Sequence, residues 1–198
     1  MPELQGRVGN RHDRDRAGAA ADRLCMLAST MSTERFPLPS EGIKGGRDSD
    51  TATATCFCGS VQILFPLKKP GYVDSFICNC ADCRKITASM FASNFIVKDS
   101  ATQHVRGRDK LTKFAQSKTI ASGNTMENHF CSVCGTLMYR ISSGFPGMLI
   151  TRIGTVDDFD LHETALKPSV EVFTENRVCW LKGAEGVKQE KGMGSLAG

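Results

Sequence analysis

Cys131-Ser132-Val133-Cys134-Gly135 is the stretch on which the reading of the chain turns. A Cys-x-x-Cys turn lets two sulfurs face one point, and the glycine after it relieves the steric cost of a backbone that curls tightly. A second pair, Cys56-Phe57-Cys58-Gly59, ends the same way some 75 residues earlier. Two sulfurs plus two complete a tetrahedral four-cysteine set, the usual structural zinc arrangement with Zn–S near roughly 2.3 Å. Zinc held so staples the start of a domain to its later half, with an apparent affinity on the order of 10 kcal/mol or more.

A third cluster, Cys78-Asn79-Cys80-Ala81-Asp82-Cys83, offers three sulfurs and no adjacent fourth ligand. Three protein ligands with one position open are the arrangement of a catalytic metal. The ion there acts as a Lewis acid on bound water, thiolate or carbonyl oxygen. Other readings compete. A distant fourth ligand would make this site structural too, the candidates being His104, His129, His162, Cys25 and Cys179. His129, beside the last cluster, could instead support a ligand from outside. A redox disulfide could use Cys-x-x-Cys, but no thioredoxin-like βαβ pattern surrounds it, and thiols that merely pack would not cluster three times. Cys179, next to Trp180, is expected in the core, and Cys25 is expected to be idle.

The rest of the composition bounds the class. The 198 residues suit one domain with extensions, and 40% hydrophobic residues supply a modest core. Nineteen glycines and seven prolines favour a turn-rich, strand-rich chain. The formal charge is +4 with cysteines counted neutral. Seven thiolates around two divalent ions contribute three negative charges, leaving about +1. Neither that balance nor any basic stripe supports a nucleic-acid partner. No apolar run reaches the roughly 18 residues of a membrane span, and no signal-peptide pattern is seen. Nine cysteines in such a chain point to a reducing, cytoplasmic setting and to metal ligands in preference to disulfides. The oligomeric state is left open.

Residues 1–50 read as a disordered extension, with eight Lys/Arg balanced by eight acids and no sustained apolar period. That balance argues against a mitochondrial presequence. Ala17 to Ala28 could form a frayed helix. Met31-Ser32-Thr33 reads as an alternative start, which would leave residues 1–30 outside the native product. The domain spans 51–183. Strands are expected at 51–56, 61–65, 72–77, 90–97, 118–121, 136–141 and 148–153, separated by Lys68-Lys69-Pro70-Gly71 and similar turns, with a short helix at 81–89. Residues 184–198 read as a flexible tail.

The clusters, in this order and spacing, resemble the glutathione-dependent formaldehyde-activating enzyme family, which also includes centromere protein V. The resemblance runs through Cys56-Phe57-Cys58-Gly59-Ser60-Val61, Cys78 to Lys85, Phe130 to Thr136, Lys167-Pro168, Glu171 to Phe173 and Trp180. It implies a mainly-β, Mss4-like fold of antiparallel sheets around a structural zinc, with short helices. It implies structural zinc at Cys56, Cys58, Cys131 and Cys134, and catalytic zinc at Cys78, Cys80 and Cys83, hence two Zn²⁺ per chain. The activity implied is that of a carbon–sulfur lyase run in reverse, joining glutathione and formaldehyde into S-hydroxymethylglutathione. Two positions depart from the family pattern. Asn79 stands where the central cluster often reads Cys-His-Cys, and Glu171 where many members have histidine; both bear on the substrate more than on the metal.

Around the open site, Arg84 and Lys85 could meet an anionic substrate, or simply solvate a helix start beside the thiolates. Asn94 could orient a bound group, or be a turn residue. Arg106, Arg108 and Arg152 are weaker candidates for a charge partner. Asp157-Asp158 reads as a helix-start or turn pair and not a catalytic dyad, because adjacent residues rarely converge on one ligand. Two rival functions stand: another zinc lyase, isomerase or hydrolase acting on a different small molecule, and a non-catalytic interaction module. The balanced N-terminal arm, without blocks of Arg/Lys, counts against chromatin binding.

Overall fold

A computed structural model describes residues 45–120 and 122–194, all within the second of the two units into which the chain divides, Leu38–Gly198. Most of the 1–50 extension, including the helix expected at 17–28, therefore lies outside the described residues.

The described part is mainly β. β1 (Thr51–Thr55) and β2 (Gln62–Pro66) form a hairpin that β5 (Gln103–Arg106) extends into a three-stranded antiparallel sheet. The larger sheet takes β3 (Tyr72–Cys78), β4 (Ala92–Lys98), β6 (Leu111–Gln116), β7 (Met126–Cys131), β8 (Leu137–Ser142) and β9 (Met148–Arg152). It is completed by β10 (Val170–Val172) and β11 (Lys188–Gln189), in the order β11-β10-β3-β4-β9-β8-β7-β6. It is mixed and not purely antiparallel: β10 runs parallel to both β3 and β11. Helix α1 (Ala81–Thr87) follows β3, and α2 (Asp160–Glu163) is a single turn.

Strand alternation gives the large sheet two different faces. Across β4, β9 and β8, Phe95 lies opposite Thr151 and Thr151 opposite Tyr139, while Val97 lies opposite Leu149. Phe95, Val97, Tyr139 and Leu149 join Ala52, Ala54, Ile63 and Phe65 of the small sheet in one buried cluster. The other face carries Phe76, Asn94 and Arg152 in one cross-strand row, and Ile96, Ile150, Arg140 and Asn128 in the next. There the sheet meets α1 and a second buried cluster, which includes Phe76, Cys78, Cys83, Ile96 and Val172.

The structure departs from the sequence expectations at definite places. The strand expected at 118–121 is not formed over its described part: Lys118 and Thr119 make a turn, and the Gln116 side chain closes it by accepting from the Thr119 amide. β5, β6, β7, β10 and β11 were not anticipated. The boundary expected at 183 does not coincide with the last strand, because Lys188–Gln189 pairs with β10 and is anchored there through Glu171. Cys179 and Trp180 are exposed and not in the core, Trp180 being 70% accessible. Asp157 and Asp158, by contrast, behave as expected and serve separate partners, Asp158 also accepting from the Asp160 amide at the start of α2. Asp157 accepts from the hydroxyls of Thr53 and Thr55 at 2.6 Å each, and Asp158 pairs with Arg47 at 3.0 Å.

Gly107, after β5, holds φ +68°, and a Cβ there would strike the carbonyl oxygen of Ser60, next to the first cysteine turn. Both the left-handed backbone and the close approach require glycine. Gly107→Ala is expected to destabilise the zinc-loaded protein by roughly 1–3 kcal/mol, read as a lower urea midpoint at unchanged slope.

Candidate metal centres

The four-sulfur cluster is built from two hairpin turns of the same design. Cys56 N–H bonds Val61 O (3.0 Å) at the mouth of the β1–β2 turn, and Cys131 N–H bonds Thr136 O (2.9 Å) at that of the β7–β8 turn. Gly59 and Gly135 both hold φ +76°, the left-handed conformation that lets each turn close behind its sulfurs. The amide of Gly59 donates to Cys56 O and that of Gly135 to Cys131 O. The turns also touch each other, Phe57 N–H donating to Thr136 Oγ1 at 3.1 Å. All four Sγ atoms lie within 4.8 Å of one another. Cys56–Cys58 and Cys58–Cys131 separations are 3.6 and 3.8 Å. The edge of a zinc–sulfur tetrahedron is about 3.8 Å, so the residues fit the ion. Burial pushes the Cys56 thiol up to about 12. Burial also opposes ionisation of Cys134, yet hydrogen bonds to Thr136 draw it down to about 6.

The three-sulfur cluster stands where β3 runs into α1. Cys78 ends β3, and Cys80 caps the helix, its sulfur accepting from Cys83 N–H at 3.4 Å. That cap turns Cys83, in the first helical turn, towards the same point. The three Sγ atoms lie within 4.8 Å of one another, and among the described residues no fourth His, Cys, Asp or Glu joins them. His104 bonds Tyr139 (3.1 Å), and His129 stacks on Tyr139 and bonds Glu127 (2.8 Å). His162 packs against Phe159, and Cys25 lies outside the described residues. Hydrogen bonding to Cys80 and Cys83 pushes the Cys78 thiol upward. Cys83 is held well below the ordinary thiol range by hydrogen bonds from Cys78 and Cys80 and by the charges of Arg140 and Arg152.

The cluster opens on a cavity of about 490 Å³ whose walls are mostly apolar. The four-sulfur cluster does not border it. Two guanidinium groups stand on the sheet face below, each 7% accessible and each paired with the asparagine opposite it on the neighbouring strand. Arg140 Nε donates to Asn128 Oδ1 (2.9 Å) and its Nη1 to Cys83 Sγ (3.6 Å). Arg152 Nη1 donates to Asn94 Oδ1. Burial draws the Arg152 guanidinium down to about 10, against the stabilising charge of Cys83. Asn94 is fully buried in β4 and lines the cavity, so it is not a turn residue. Arg84 and Lys85 do not line it: Arg84 donates to the backbone of Asn176 (3.2 Å), and Lys85 is exposed. Arg140 and Asn128 escaped the sequence reading. The available signal was a charge and a carboxamide at core positions of alternating strands.

The two departures from the family pattern meet in space. Asn79 Nδ2 donates to Glu171 Oε1 at 2.9 Å, with both side chains buried. Glu171 also accepts from Arg177 and Gln189 (both 2.9 Å) and from the amide of Ala184 (3.1 Å), tying β11 to β10 beside the cluster.

Two unlike cysteine clusters that could hold metal ions, one of four sulfurs and one of three bordering a cavity, are thus set into a mainly-β fold. The chain belongs to the family described as glutathione-dependent formaldehyde-activating enzyme, whose model matches residues 51–176. A comparison with curated proteins finds no significant match. Among solved structures, the chain is similar to a crystal structure of a Rhodobacter sphaeroides protein, with 24% identity over 53% of this chain and 87% of that one and a TM-score of 0.43.

Metal analysis separates the two centres. The purified protein is expected to hold two zinc ions, and Cys80→Ser about one with the fold retained. Cys134→Ser should unfold the domain, because an incomplete staple forfeits most of the binding free energy. Glu171→Gln is expected to cost roughly 1–3 kcal/mol at neutral pH through its charge-assisted hydrogen bonds. These bonds, with Arg177 donating first, prevail over burial and hold the Glu171 carboxyl below its usual range. Its contribution is therefore full above an unfolded pKa near about 4.3 and lost as pH falls through the lower folded value. Urea titrations of wild type and Glu171→Gln should thus converge on acidification.

Proposed function

We propose that the three-cysteine centre binds zinc and promotes addition of a thiol to a small carbonyl compound, a carbon–sulfur lyase reaction run in the bond-forming direction. The observation that carries this reading is the contrast between the centres: four sulfurs enclose one point away from the cavity, while three sulfurs border a point inside it. The family supplies the prototype, glutathione with formaldehyde giving S-hydroxymethylglutathione, and supports glutathione as the thiol. Zinc, when bound, supplies a Lewis acid with a position free for a reactant.

The chain's own residues do the rest. Cys80 caps α1 and fixes the angle between the outer two sulfurs. Arg140 and Arg152 offset the thiolate charge that the cluster concentrates at Cys83. The apolar walls exclude water from the adduct and hold both reactants together, which makes their addition effectively intramolecular. The free thiols of the described cysteines suit a reducing, cytoplasmic setting. Among the described residues no helix is long and apolar enough to cross a membrane.

The test is turnover by the zinc-loaded protein against a panel of aldehydes with and without glutathione, followed by NMR of the thiohemiacetal carbon. Wild type should accelerate adduct formation or breakdown, and Cys80→Ser should lose at least about 100-fold of that rate. Equal rates for wild type and Cys80→Ser would leave a binding module in place of an enzyme.

A further inference from the structure

We propose that the cavity takes a small acid with an apolar body, its carboxylate attached directly to the carbon that bears the reacting oxygen or sulfur, and that Arg140 and Arg152 hold that carboxylate. This rests on the reading of the three-cysteine cluster as an open ion site.

Two guanidinium groups on a sheet face are costly to bury unless their charge is answered. Asn128 and Asn94 are neutral carboxamides, and three thiolates around one divalent ion carry a single net negative charge, so one of the two guanidinium charges stays unanswered. The acid among the described lining residues is Asp82, and its carboxylate is already taken by Thr119 and by Gln116. Apart from its interaction with Cys83, Arg152 keeps Nε and Nη2 buried without a hydrogen bond of ordinary geometry. Those two N–H groups form the side-on edge of the guanidinium, the fork that grips a carboxylate through two parallel bonds.

Position narrows the ligand further. Arg140 Nη1 lies 3.6 Å from Cys83 Sγ, itself one of the three sulfurs. A carboxylate held by the guanidinium pair therefore lies beside Cys83, and in a small ligand the acid and the reacting atom fall close together, on adjacent carbons. Among the described lining residues Arg140 and Arg152 are the cations, while Phe76, Ile96, Met126, Phe145, Ile150 and Phe173 supply apolar wall. That surface suits a hydrocarbon or aromatic body and a single acid group. Two chemistries share this description, a 2-oxo acid as the carbonyl reactant and a 2-mercapto acid as the thiol. In either case the addition balances. The S–C bond forms, the carbonyl π bond breaks, and the thiol proton ends on the new hydroxyl oxygen.

Calorimetric titration of the zinc-loaded full chain tests this with matched pairs: mercaptoacetate against 2-mercaptoethanol, and phenylglyoxylate against benzaldehyde. At least one acid should bind roughly 10- to 100-fold tighter than its neutral partner, and the pair that shows it identifies which reactant carries the acid. Arg152→Met should shrink that ratio to within about threefold while zinc stays at two per chain, and Arg152→Lys should fall between. Equal binding of acid and neutral members in both wild-type pairs would overturn the proposal, with no variant needed, and so would a ratio that survives Arg152→Met. The reaction reading fails separately. An acid preference without carbon–sulfur bond formation sinks the reaction and keeps the site, and turnover indifferent to the acid group does the reverse.

Discussion

Four sulfurs at one point are the joint on which this fold depends. The β1–β2 turn belongs to the small sheet and the β7–β8 turn to the large one, so an ion held by Cys56, Cys58, Cys131 and Cys134 fastens the two sheets at their loops. The buried cluster between the sheets includes several small residues, such as Ala52 and Ala54, and short strands. Hydrophobic burial of that kind stabilises by about 25 cal/mol per Å² and is non-directional. The joint adds direction, because tetrahedral coordination accepts one relative placement of two turns. The loop so closed spans some 75 residues and ties the first turn of the domain to one in its later half.

Once the small sheet covers one face of the large sheet, the opposite face becomes the place for chemistry. Strand alternation delivers Phe76, Asn94, Ile96, Ile150, Arg152 and Arg140 to that face from four strands. The β3–α1 corner then brings three sulfurs over the rim. The centres differ because the chain leaves each cysteine pair by a different route. A left-handed glycine turns the chain back into a hairpin and closes the first site. At the second, α1 starts directly after Cys80 and carries the chain away, so no second turn arrives with a fourth ligand.

Legibility followed the same division. Cysteine spacing and the glycines behind it are local chemistry, and both clusters could be read directly from the sequence, as could the strands whose apolar residues alternate. β6 was hidden because it is an edge strand with most side chains exposed, and β7 because its buried positions include Asn128. β10 and β11 are strands of three and two residues whose pairing is settled by Glu171, four donors and a parallel register that no local pattern encodes. Arg84 and Lys85 drew attention by adjacency to a ligand in the sequence. The helix rotates them away from the sulfurs, whereas Arg140 and Arg152 arrive from strands 57 and 58 residues distant from Cys83 and Asn94.

The departures at Asn79 and Glu171 illustrate why a site is better compared by contacts than by positions. Taken singly, each looks like the loss of a histidine beside a metal cluster. Together they form one buried donor–acceptor pair, and the carboxylate gains Arg177, Gln189 and Ala184 as further donors. A histidine at position 171 could accept only one hydrogen bond through a neutral ring nitrogen, so it could not collect these four donors. The carboxylate therefore converts a position beside the metal cluster into an anchor for β11. The anchor lies where β10 leads into Phe173 at the cavity wall, on the side away from the arginines' own strands β8 and β9.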